Sequence, residues 1–149
     1  MYWLYSNIIM FYILLLNLFC IAYFDWKHRR IPNLMLMTLL LCLVPTLKNT
    51  IELDVIAHFF EVLIIGFVFV SFGIIGAGDV KLLAVISLAV KPAFFLLFLF
   101  SITSLGGLLA IGYLIYGYCT DINKVRARGI PYGLPIVISA AWALFVSIH

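Results

Sequence analysis

Asp25 and Asp79 are the residues of this sequence best suited to chemistry. Asp25 lies in the run Phe24-Asp25-Trp26-Lys27-His28-Arg29-Arg30-Ile31-Pro32-Asn33, and Asp79 in Gly76-Ala77-Gly78-Asp79-Val80-Lys81-Leu82. Two carboxylates held about 3 Å apart cannot both ionise easily, so they share one proton and titrate as a pair. The ionised member then takes a proton from water while the protonated member polarises a peptide carbonyl. That is general acid–base hydrolysis with no metal and no covalent intermediate. Each aspartate also has a plainer reading. Asp25 alone, next to a Lys-His-Arg-Arg cluster, reads as the charge partner of a membrane-surface anchor. Gly76 and Gly78 give the backbone freedom to bend beside Asp79 and let another chain come close to its carboxylate.

Other chemistries find little support. His28 sits in the basic cluster, His58 near a helix start and His149 at the end of the sequence, so no metal site is expected. Ser71, Ser87, Ser101 and Ser104 have no neighbouring His or Lys to activate them as nucleophiles. Gly73-Ile74-Ile75-Gly76-Ala77-Gly78 lacks the third glycine of a dinucleotide loop and the GK[ST] ending of a phosphate loop. No cofactor and no nucleic-acid partner are expected. Cys20, Cys42 and Cys119 form no CxxC pair and read as buried free thiols.

The elements that must position the aspartates are membrane helices. Of 149 residues, 66% are apolar and 10% charged, with a mean hydropathy of +1.25, whereas a soluble domain carries about 25% charged residues. In such a chain a carboxylate at a helix end is costly and calls for a reason. The fold class expected is an all-α polytopic bundle, a single integral-membrane domain over 1–149. Six apolar segments, at 3–24, 31–47, 55–75, 80–91, 93–117 and 131–148, are candidate spans. The fourth would cover only about 18 Å, so it either starts below the surface or continues through Pro92 to about Phe100 with a kink. No cleavable signal peptide is expected, and the bulky Phe19 argues against lipidation at Cys20.

Charge placement orients the bundle. With the amino terminus outside, Lys27, Arg29, Arg30, Lys81, Lys124, Arg126 and Arg128, seven of the nine basic residues, fall on the cytoplasmic side, leaving Lys48 and Lys91 outside. Both aspartates then lie at the cytoplasmic face. Glu61, about two turns into the third span, reads as an interfacial residue, a buried partner or part of an ion path. Small residues at helical spacing, Gly106 with Ala110 and Ser139 with Ala143, suit close helix packing.

Asp25 with Arg29, Ile31, Pro32 and Asn33, followed 54 residues later by Asp79 in its Gly-Ala-Gly-Asp setting, resembles the type IV prepilin peptidases, the GxGD class of intramembrane aspartyl proteases. Ile130-Pro131-Tyr132-Gly133 is similar to a short Pro-Tyr segment of that family. The resemblance implies that Asp25 and Asp79 are a catalytic dyad in the cytoplasmic membrane of a prokaryote. It implies as substrate a type IV prepilin, pseudopilin or archaellin, whose short basic leader is cut ahead of an apolar helix. Full-length bacterial members also carry an amino-terminal region with paired cysteines, associated with zinc and N-methylation. This chain looks like the compact, peptidase-only form. Gly76, Gly78, Lys81, Asn33 and Tyr132 are the expected site-framing or substrate-binding residues. Lys81 reads equally as an interface anchor. The competing readings are a small proton or cation transporter using Glu61 and the aspartates, and a non-catalytic membrane subunit of a pilus or secretion machine.

Overall fold

The computed structural model describes residues 2–47, 52–122 and 129–148. Lys48, Lys124, Arg126, Arg128 and His149 lie outside the described residues. The described chain is helical throughout: α1 (Tyr2–His28), α2 (Asn33–Leu47), α3 (Leu53–Ser71), α4 (Ala77–Ser87), α5 (Pro92–Cys119) and α6 (Gly133–Ile148). Stretches of α1, α3 and α5 (Ile9–His28, Leu53–Ser71, Pro92–Cys119) are long and apolar enough to cross a membrane, and α2 and α6 contain shorter apolar helices.

The shortest helix is the inner one. α4 has 11 residues, about 16 Å of rise, and it packs against α2, α3 and α6. Val80, Leu82, Ala84, Ile86 and Ser87 along it are all buried. Around them the core is completed by Leu14, Leu18 and Ile21 of α1, Leu39 and Leu43 of α2, Phe98 of α5 and Ala140, Ala143 and Leu144 of α6. The outer faces are as apolar as the core: Leu16, Phe19, Phe67, Leu96 and Leu108 are each at least 66% exposed. A helix that is hydrophobic all round belongs in lipid, where an apolar outer face costs nothing. Of the three free cysteines, Cys42 is half-buried, while Cys20 and Cys119 are exposed on the outer surface rather than buried.

Three breaks set the site. The first ends α1, one turn later than hydropathy alone suggests, so Asp25 belongs to the last turn of a helix rather than to a loop. Arg29 closes it with φ of 54°, its N–H donating to the Asp25 carbonyl at 2.9 Å. That left-handed position usually goes to Gly or Asn. The second break comes after α3. Gly73 has φ of 69°, its N–H donates to Val70 O at 2.9 Å, and Ile74 N–H donates to Phe69 O at 3.0 Å. This is the paired pattern of a Schellman stop. The bend before Asp79 is therefore made by Gly73, which leaves Gly76 and Gly78 free for a different use.

The third break settles the fourth segment. α4 stops at Ser87 and the chain restarts at Pro92, the first residue of α5, which does not continue α4 with a kink. Pro fits that position because its missing N–H would lack a helical partner there and its φ is already helical. The Lys91 N–H donates to Ser147 Oγ at 3.1 Å, tying the restart to α6.

Candidate active site

Asp25 arrives on the last turn of α1 and Asp79 on the first turn of α4, and both line one cavity of about 540 Å³. Its other walls include Arg29, Gly73 to Gly76, Ala110 and Tyr113 of α5, Ile130 and Tyr132. Asp25 is 6% exposed. Its Oδ2 accepts the N–H of Gly133 at 3.0 Å, so the carboxylate satisfies an otherwise unpartnered donor at the start of α6. The fit is tight: a Cβ on Gly133 would stand 2.7 Å from Asp25 Oδ2.

Asp79 stands ahead of the apolar stretch that begins at Val80. It is the third residue of α4 and reaches back to the N–H of Gly76, the residue that caps the helix. This is half of a capping box. A Cβ on Gly76 would lie 3.0 Å from Asp79 Oδ2, and one on Gly78 would lie 3.3 Å from Ile31 Cβ. Gly76 thus makes room for the carboxylate and Gly78 for the segment that links α1 to α2. The Asp79 carboxyl is pushed up to about 7, chiefly by burial and then by the charge of Asp25, against the lowering effect of the Gly76 hydrogen bond. Asp79 therefore senses a carboxylate 54 positions away in the sequence.

Arg29 is the cation lining the cavity among the described residues. Its Nη2 donates to the Tyr113 hydroxyl at 3.1 Å, and the guanidinium lies over the same ring, 5.7 Å from its centroid. Nε and Nη1 are buried with no hydrogen-bond partner among the described residues. The left-handed turn at Arg29 comes directly after α1, four residues beyond Asp25, and its charge acts on that carboxylate.

The residues expected to frame the site divide into two groups. Gly76 and Tyr132 line the aspartate cavity, and Tyr132 is seated against Gly106, where a Cβ would lie 3.0 Å from its ring. Lys81 and Asn33 meet each other, Nζ to Oδ1 at 3.2 Å, and line a separate hollow with Leu36, Met37 and Phe59. Glu61 takes His58 as partner at 3.2 Å, and His58 stacks on Phe95 with centroids 4.0 Å apart. Among the described residues no three His, Cys, Asp or Glu side chains converge as a metal-binding group.

Sequence reasoning did not single out Gly133, Tyr113 or the cavity role of Arg29. The spacing of Arg29 four residues after Asp25 was a signal, since such pairs share a helix face. Nothing in the sequence marked Tyr113.

Comparison with curated proteins and with solved structures returns no match. The profile of the type IV leader peptidase family matches residues 12–111, a stretch that holds both aspartates, the turn at Arg29 and the glycines around Asp79. With that match covering most of its length, the chain belongs to the type IV leader peptidase family.

Proposed function

We propose that this protein is a membrane aspartyl endopeptidase that removes the short basic leader of type IV prepilins, pseudopilins or related filament precursors. The observation that carries the reading is the convergence of Asp25 and Asp79, from separate helices, on one cavity in which Asp79 feels the charge of Asp25. Family membership supports peptide cleavage. The aspartic mechanism rests on the pair.

In this mechanism Asp79 brings the shared proton. Asp25, whose Oδ2 already accepts the Gly133 N–H, is the ionised member in this reading. A water between them gives a proton to Asp25 as its oxygen attacks the scissile carbonyl, and Asp79 donates its proton to the carbonyl oxygen. As the tetrahedral diol collapses, Asp79 recovers a proton from a diol hydroxyl and Asp25 passes its own to the departing amine. Proton count is restored and no other group is consumed.

The orientation belongs to the same proposal: six helices in the cytoplasmic membrane of a prokaryote, amino terminus outside, with the aspartate cavity at the cytoplasmic face. Lys27, Arg29, Arg30 and Lys81 near the two aspartates support it. Partners on this reading are the lipid bilayer and a precursor whose leader enters from the cytoplasm.

Co-expression with a precursor carrying a short basic leader ahead of an apolar helix tests the reading. Asp25→Asn and Asp79→Asn are each expected to abolish processing. Intact processing in both variants would overturn the assignment of the dyad. A transport path through Glu61 has less support, because Thr103 is the sole uncharged polar side chain lining the hollow between Glu61 and Asp79, apart from the Tyr132 hydroxyl. Flux in liposomes that depends on Glu61, with no peptide cleavage, would establish that alternative instead.

A further inference from the structure

A second cavity, of about 460 Å³, opens beside the aspartate cavity and shares with it Asp79, Ile74, Ile75 and Tyr132. Its walls are α3 and α5 and its floor is α4. It exists because α4 is too short to fill the space between its longer neighbours. On α3 the lining runs from Phe69 through Ile65 to Glu61, a length of about 12 Å at helical rise. The lining is apolar apart from Asp79 at one end, Glu61 at the other, and Thr103 and the Tyr132 hydroxyl between them.

We propose that this groove seats the first two turns of the apolar helix on the carboxyl side of the scissile bond of the substrate. The inference rests on the peptidase function proposed for the aspartate pair. Continuity with the aspartate cavity selects this occupant. A peptide whose scissile bond lies at Asp79 must continue somewhere. If its next segment is an apolar helix, the backbone is already satisfied and the side chains need a lipid-like surface. The groove supplies that surface and begins at the same aspartate. Gly107 adds a place for close helix approach, since a Cβ there would meet nothing within 4 Å. The shared wall also assigns a specificity role: precursors with a polar or helix-breaking segment after the leader would leave the groove empty and be cut poorly.

Two measurements on full-length protein in liposomes test this, with a helix-bearing precursor as the probe. Gly107→Leu starts from a position where a Cβ meets nothing within 4 Å, adds bulk to the groove wall and favours the helix. It is expected to raise KM for the precursor at least tenfold. Gly112→Leu, on the same helix at another site with nothing within 4 Å, is expected to match wild type. In the second measurement a photoreactive phenylalanine analogue replaces Thr103 in an Asp79→Asn background. It is expected to crosslink to the first eight residues after the leader junction. An unchanged KM in Gly107→Leu, or crosslinks only to lipid, to a second copy or to the leader itself, overturns the proposal. Should wild-type protein cleave nothing while Thr103 still crosslinks to the precursor helix, the groove stands and the aspartyl reaction is the part that fails.

Discussion

Asp25 and Asp79 each serve a helix end as well as the reaction proposed for them. Asp25 accepts the Gly133 N–H at the start of α6, and Asp79 folds back on Gly76 at the start of α4. Negative charge is favourable at both places, because the first N–H groups of a helix point outward unpaired and the dipole is positive there. The same contacts fix the carboxylates in position, so small changes beside them are expected to act on turnover. Gly133→Ala would place a Cβ 2.7 Å from Asp25 Oδ2 and force the carboxylate aside. A displacement of this order at a reacting group costs about 10²-fold in rate, so kcat is expected to fall by about that factor with KM little changed. Wild-type kcat in Gly133→Ala would separate Asp25 from the reaction. Titration gives a second outcome at this scale. With Asp79 raised to about 7, the proton the reaction needs is present below that value and lost above it. The plot of kcat/KM against pH, which reports groups of the free enzyme, should therefore fall with an apparent pKa near 7 on its alkaline side. Stability moves in the same direction, since a raised carboxylate favours the fold at low pH and gives up that contribution as pH rises from 3.8 towards about 7. A kcat/KM plateau extending to pH 9 would contradict the assignment of the shared proton to Asp79.

The helices place these residues through their ends more than through their faces, and this decides which features were readable in advance. The two aspartates were legible because a charge is conspicuous in so apolar a chain, and the helix boundaries were legible to within a turn. The function of each glycine was not. Gly76 and Gly78 read as the bend, yet Gly73 makes it with positive φ, while the other two allow close approach. Lys81 lies two residues beyond Asp79 on a helix, about 200° round the axis, so it turns to Asn33 and away from the cavity. Gly133 was illegible as a partner because a backbone donor has no side chain to announce it, and only the packing of α6 on α1 brings it to Asp25. The inner position of α4 has its own requirement. Gly66 of α3 faces Val80, and a Cβ there would run into the Val80 side chain. Gly66→Leu should therefore overpack the α3–α4 contact and cost about 1–3 kcal/mol of stability, read as a lower denaturation midpoint in detergent. An unchanged midpoint would mean that α4 is not held against α3 as described.

At the scale of the whole molecule, a short buried helix ringed by longer apolar ones leaves two connected hollows beneath one surface. One holds the aspartates and Arg29, and the other is nearly free of polar side chains. Exposed Phe, Leu and Ile on the outer helices and buried aliphatic residues on the inner one are two sides of the same design for lipid. Composition made the helical, membrane-embedded class evident at once. It could not reveal that α4 is recessed, because an apolar segment reads the same in the core as in a span. The central question is whether the two aspartates act together on a peptide bond. The most direct measurement is the cleavage rate of a leader-bearing precursor by purified protein in liposomes, monitored by mass spectrometry, for wild type, Asp25→Asn and Asp79→Asn. Wild-type protein is expected to yield one new amino terminus at the leader junction, and each variant to lose at least 10³-fold in rate while still folded and inserted. Cleavage at the wild-type rate by either single variant would contradict a catalytic pair.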